Sequence, residues 1–208
     1  MTKNNHTTAW LVAGIVAAAI VLDQALKIYI KLHFTLGETY EVLPFFDLCF
    51  IENNGMAFGI EWFDKLFLTL FRIVAVGLLV WYIIRLIKSN ARRAYIVMVT
   101  LVLAGALGNI IDCLFYGVIF NESTVSTLAT MFPDGGGYAP FLYGRVVDMI
   151  YVKLFPIPSG FPVWGGTYFF PAIFNFADSC VTVGVALLII FNKRVFKEER
   201  VEEDGVKE

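Results

Sequence analysis

Charge is scarce in this chain. Only 16% of its 208 residues are Asp, Glu, Lys or Arg, and they balance to −2. No basic field is available for a phosphate backbone, so a nucleic-acid-binding protein is excluded. Histidine is scarcer, with His6 and His33 alone. Neither has a nucleophile motif beside it, which leaves no convincing Ser-His or Cys-His hydrolase. The three cysteines, Cys49, Cys113 and Cys180, are widely separated and odd in number. With no CxxC, no HExxH and no Cys/His cluster, neither a metal site nor a redox pair is expected. The cysteines read as small apolar packing residues.

Apolar residues are what the chain has in excess: 58% of the total, with a mean hydropathy of +0.71. A soluble domain is nearer to about 45–50%. The composition therefore predicts an integral membrane protein of one compact domain. Ala9 to Ile30 is a run of about 33 Å as a helix, enough to cross a bilayer. Lys3 and the small residues Ala17 to Ala19 imitate a cleavable signal peptide, but the apolar character resumes beyond Asp23, which favours a retained helix. Further spans are expected over about 66–87, 95–115 and 173–191. Residues 31–63 alternate loosely and are broken by Pro44 and Asn53-Asn54-Gly55, which predicts short strands and turns at the membrane surface. Residues 117–172 are read as a long non-spanning region. Its Ser/Thr-rich part, Asn121 to Tyr138, reads as a flexible exposed loop, and Trp164, Tyr168, Phe169 and Phe170 read as an interfacial belt. A charged tail follows over 193–208.

Basic residues orient the spans. Lys3, the Lys88/Arg92/Arg93 loop and the Lys193/Arg194/Lys197 tail share one side, which places both termini in the cytoplasm. Asp23, Asn109, Asp112, Asp148 and Asp178 then fall towards the outer end of the membrane. An acidic group at membrane depth costs about 2.5–3.5 kcal/mol on insertion scales, so it faces a polar cavity or a partner. Asp148 and Asp178 have a long loop segment between them, and only the fold can bring them together. Two such carboxylates would share one proton. The ionised one could take a proton from water while the other donates to a carbonyl oxygen, which is amide hydrolysis without a covalent intermediate. Asn175 precedes Asp178 by three residues and Asn109 precedes Asp112 by three, so each pair shares a helix face. Each Asn either orients a carboxylate and binds substrate, or ties helices together by hydrogen bonds. Asp23 and Lys27, four apart, either belong to the site or form a structural ion pair.

Five blocks stand in order along the chain: Asp23-Gln24-Ala25-Leu26-Lys27, Asn53-Asn54-Gly55-Met56-Ala57-Phe58, Gly105-Ala106-Leu107-Gly108-Asn109-Ile110-Ile111-Asp112, Gly144-Arg145-Val146-Val147-Asp148 and Phe174-Asn175-Phe176-Ala177-Asp178-Ser179. In these the chain resembles the lipoprotein signal peptidase (signal peptidase II) family of bacterial membrane aspartyl peptidases. The resemblance implies a membrane all-α core of four transmembrane helices, a small extracytoplasmic β-cradle and a long extracytoplasmic loop region. It implies Asp148 and Asp178 as the catalytic dyad, with Asp23, Asn53, Asn109 and Asn175 lining the site. Gln24, Lys27 and Asp112 are expected as supporting polar residues. No metal or cofactor is implied. The implied substrates are diacylglyceryl-modified prolipoproteins, cut just before the modified cysteine at the outer face of the bacterial inner membrane, in contact with membrane lipid. The cyclic peptide globomycin is the implied inhibitor, and a monomer the expected state.

Two departures stand out. Cys113 occupies a position where the family usually carries an arginine, for which Arg145 is a candidate substitute. About 27 residues, 117–143, are inserted between the third span and the Asp148 block, flanked by Tyr116-Gly117 and Tyr143-Gly144. They are expected either to cover the site as a lid or to contact the lipoprotein. Two competing readings remain: a small proton-coupled transporter, disfavoured by the lack of an internal repeat, and a non-catalytic lipoprotein-binding membrane protein.

Overall fold

The computed structural model of the chain describes residues 3–55, 64–162, 165–169 and 172–205, with side chains described from residue 4 to residue 191. Met56 to Phe58 of the second sequence block, Trp164 and Phe170 of the expected belt, and the side chains of the basic tail lie outside this description. Two contact units are present. One gathers Met1–Val21, Arg72–Gly108 and Ala177–Glu208; the other gathers Leu22–Phe71 and Asn109–Phe176.

The first unit is helical. It holds the leading part of α1 (Lys3–His33) and most of α2 (Lys65–Lys88) and α3 (Arg93–Ile111), together with α5 (Phe176–Gly205). Ile83 and Ile87 of α2 pack on Ile96, Val99 and Leu103 of α3, with Val12 and Val16 of α1 against them. Lipid gives helices no hydrophobic reason to associate, so close approach at small residues matters. A Cβ on Gly105 would stand 2.2 Å from the carbonyl oxygen of Ala177, and one on Gly184 would stand 2.9 Å from that of Met98. Trp10, Val74, Leu78 and Ile189 are exposed, as side chains solvated by lipid would be. Among the described residues, three helical stretches are long and apolar enough to cross a membrane: Asn4–His33, Lys65–Lys88 and Arg93–Ile119. The apolar part of α5, Phe176–Phe191, is shorter, below the about 20 residues that a bilayer core asks for.

The second unit is built on a four-stranded antiparallel sheet in the order β1 (Thr39–Leu43), β2 (Phe46–Asn53), β3 (Val146–Val152), β4 (Ile173–Phe174). The strands expected within 31–63 are β1 and β2. The other two fall elsewhere than expected. Asp148 lies on a strand, not in a loop, and Ile173 and Phe174 pair with Tyr151 and Ile150 before α5 begins at Phe176. Short apolar runs of this kind serve equally as a buried strand or as helix, so the pattern alone does not separate them. Beneath the sheet, Phe50, Val147 and Met149 pack on Ile30, Tyr116 and Phe120.

The third span does not end as a regular helix. After Ile111 it widens into a π-helical stretch, Asp112–Tyr116, and closes in one turn, α4 (Gly117–Ile119). The chain beyond is held down and is not the free loop its composition suggests. Phe120, Ser123 and Ala129 are buried. Leu36 N–H donates to Thr124 O at 2.9 Å, Phe132 N–H to Ile119 O at 2.7 Å, and Tyr138 N–H to Phe120 O at 2.9 Å. Gly137 folds back so closely that a Cβ there would stand 2.0 Å from Gly117 O.

Candidate active site

Along α1, Asp23, Lys27 and Lys31 stand four residues apart and so share one face. All three are buried. Lys27 has three ammonium protons, and each finds an acceptor: Asp23 Oδ2 at 2.9 Å, Asp112 Oδ2 at 2.8 Å and Asn109 Oδ1 at 2.9 Å. Gln24 donates to Asp112 Oδ1 at 2.9 Å and to Asp23 Oδ2 at 3.1 Å, while its own carbonyl accepts the Tyr116 hydroxyl at 3.0 Å. Asp112 opens the π-helical stretch and accepts the backbone N–H of Val147 at 3.2 Å. A single buried carboxylate thus ties the end of the third span to the residue next to Asp148.

Asp148 closes the chain of contacts. Its Oδ1 accepts the Asn175 side-chain amide at 2.7 Å and its Oδ2 accepts that of Asn53 at 3.1 Å. Asn175 also donates to Asn109 Oδ1 at 3.1 Å. Asn53 is itself oriented, since its carbonyl oxygen takes the Gly55 N–H at 2.8 Å. Gly55 has φ of 95°, a conformation glycine adopts freely. The path therefore runs from Asp148 through Asn175 and Asn109 to Lys27, and from there to both other carboxylates. Asp23 and Lys27 do form the ion pair that their spacing allowed. Asp178 stands in the first turn of α5, three residues beyond Asn175, and belongs to the helical unit.

Arg145 does not stand open. Its guanidinium donates to Glu52 Oε2 at 3.0 Å and to Glu122, and lies 5.0 Å above the Tyr138 ring. Cys113 is fully buried, and the cation beside its sulfur is Lys65, at 3.8 Å. Lys65 also donates to Asn54 O at 3.1 Å.

The fold and the polar site can be set beside known proteins. The family described as signal peptidase (SPase) II matches residues 15–193. A lipoprotein signal peptidase of Porphyromonas gingivalis is 45% identical over 185 residues, covering 86% of this chain and 81% of that one. The chain belongs to the signal peptidase II family. One from Amoebophilus asiaticus is 35% identical over 213 residues, covering 97% of this chain and 84% of that one. A solved bacterial membrane enzyme, determined in meso at 2.3 Å, superposes with a TM-score of 0.59 at 26% identity, covering 88% of each chain. A second, at 1.9 Å, gives 0.57 at 29% identity over 86% of this chain and 90% of that one. This signal peptidase II is a bacterial membrane hydrolase.

Sequence reasoning passed over several residues of the peptidase. Lys31 continues the Asp23/Lys27 stripe and could have been found from spacing alone. Glu52, Ser123, Tyr138 and Lys65 carried no such signal, because each meets its partner only through the fold. Glu52 sits among Lys31, Ser123 and Arg145. Burial opposes its charge, but the Lys31 ammonium and the hydrogen bonds from these neighbours win, and its carboxyl is held below the ordinary range. Burial pushes the Tyr138 phenol up, so it stays neutral, its oxygen accepting the Arg145 N–H at 2.6 Å.

Proposed function

We propose that this peptidase removes signal peptides from prolipoproteins, and that Asp148 and Asp178 are the two carboxylates that activate water for the cut. The observation that carries this reading is the way Asp148 is held: each of its oxygens accepts one side-chain amide, from Asn175 and from Asn53. Amide donors suit an ionised carboxylate. Asp148 is accordingly assigned the role of base, taking a proton from water as the water oxygen bonds to the scissile carbonyl carbon. Asp178 is assigned the role of acid, donating to the carbonyl oxygen. Asp148 then passes the proton it took from water to the amide nitrogen as the C–N bond breaks and the amine leaves, and a hydroxyl of the tetrahedral species returns a proton to Asp178 as the carbonyl re-forms, which restores both aspartates. Asn175 supports both assignments, since it holds Asp148 and leads directly into the turn that carries Asp178.

The P. gingivalis and A. asiaticus relatives are lipoprotein signal peptidases by name, and the same substrate class is proposed here. The cut falls just before a diacylglyceryl-modified cysteine. The acyl chains remain in hydrocarbon, and the scissile bond lies near the outer interface, where water reaches the polar groups. Both termini lie in the cytoplasm, which requires α5 to complete a fourth crossing.

The test uses purified peptidase in detergent with a diacylglyceryl-modified prolipoprotein, reading the product masses. The expected product carries the lipidated cysteine as its new N-terminus, and globomycin suppresses it. An intact substrate, or a cut at another bond, contradicts the reading.

A further inference from the structure

The site as described uses one face of the β2–β3 pair. Ile51 stands opposite Asp148, Glu52 opposite Val147 and Asn53 opposite Val146. Side chains alternate along a strand. Asn53 and Asp148 therefore share one face and are hydrogen-bonded across it, while Glu52, Val147 and Arg145 belong to the other.

That second face carries a buried charge cluster that the proposed reaction does not use. The Glu52 side chain is 2% exposed and pairs with the Lys31 ammonium, which is 0% exposed. Ser123 donates to Glu52 Oε1 at 2.7 Å and accepts from Lys31 at 2.8 Å. Arg145 holds the other Glu52 oxygen at 3.0 Å and also pairs with Glu122. The rings of Phe50, Phe120 and Tyr138 stand 5.8, 5.3 and 5.1 Å from the Lys31 nitrogen. Ser123, Glu122 and Tyr138 all come from the segment between the third span and the Asp148 strand. A buried ion pair gives up strong solvation and holds only where its geometry and hydrogen bonds are complete. The segment completes this one. Its Ser123 joins Lys31 and Arg145 in fixing the Glu52 carboxylate, and the next residue along β2 is the one that holds Asp148.

We propose that Glu52, clamped by Lys31, Ser123 and Arg145, is a positioning residue that sets the Asn53 amide against Asp148, and that residues 117–143 form the fixed back wall of the site. The proposal rests on Asp148 being a catalytic carboxylate. It makes the segment a structural part of the site, not a mobile cover over it.

The experiment is a double-mutant cycle on full-length peptidase in detergent, with a diacylglyceryl-modified prolipopeptide as substrate. The variants are Glu52→Gln, Asn53→Ala and the two combined. Misplacing a reacting group by about 1 Å can cost ~100-fold in rate. Glu52→Gln is expected to lower kcat about 10- to 100-fold with KM within about twofold. On the Asn53→Ala background it costs less than about twofold, because the group it positions is already gone. If the single change leaves Lys31 too poorly paired for folding, Lys31→Met/Glu52→Gln removes both charges and carries the cycle instead. That pair is expected to keep the wild-type melting temperature within a few degrees and still to lose kcat. Additive costs, or wild-type kcat in a folded Glu52 variant, overturn the proposal. Asp148→Asn is measured alongside. If it keeps wild-type activity, the dyad reading itself fails; if it is inactive while the cycle is additive, only the positioning role fails.

Discussion

Lys27 is the residue on which the buried polar chain depends. Its three protons neutralise Asp23 and Asp112 and bind Asn109, and the ammonium and both carboxylates are buried. Removing the cation alone leaves two carboxylates facing each other. Breaking a buried pair in that way costs about 3–5 kcal/mol. Lys27→Met is therefore expected to lower the melting temperature in detergent sharply, and Lys27→Met/Asp112→Asn to recover part of the loss. Glu52 predicts a pH dependence. Its folded carboxyl titrates below the ordinary value of 4.5. The stability it contributes is thus fully present above that value and is lost as pH falls through the lower folded one. Melting temperatures of wild type and Glu52→Gln, compared from pH 7 to pH 3, should converge on the acid side. A constant gap would contradict the assignment.

Helix contacts and strand contacts set different tolerances. Where α5 starts beside α3, Gly105 leaves room only for a hydrogen, with Ala177 O 2.2 Å from any added Cβ. Gly105→Leu is expected to force these helices apart and to destabilise the protein by more than about 2 kcal/mol, read as a loss of folded protein in detergent. Gly77→Leu on α2, where an added Cβ meets nothing within 4 Å, is the tolerated control. The helices were the legible part of the sequence, since long apolar runs have few other uses. The strand that carries Asp148 was not legible, because Val146 and Val147 before it and Met149 and Ile150 after it are apolar at consecutive positions, without the alternation that marks a strand. Asn53, Asn109 and Asn175 were visible through their motifs, but the joining of all three to Asp148 and Lys27 was not. The Ser/Thr-rich 121–138 segment read as loose for the same reason: composition does not show that Ser123 closes a buried ion pair. The π-helical stretch at Asp112 likewise has no sequence signature, though a widened turn of this kind often marks a functional site.

On the scale of the molecule, the peptidase meets two solvents. Apolar side chains cover the outsides of its helices for lipid, while nearly every polar side chain of the candidate site belongs to the sheet-containing unit. This division suits the proposed substrate, whose acyl chains would be anchored in hydrocarbon and whose scissile amide needs water. The central claim is that Asp148 and Asp178 act together on that water. The most direct measurement is the single-turnover cleavage rate of a diacylglyceryl-modified prolipoprotein by wild type, Asp148→Asn and Asp178→Asn, each shown by its melting temperature to be folded. The account predicts a fall of at least about 1,000-fold in each folded variant, since each loses one half of the acid–base exchange. A folded variant of either aspartate that cleaves at the wild-type rate would contradict it.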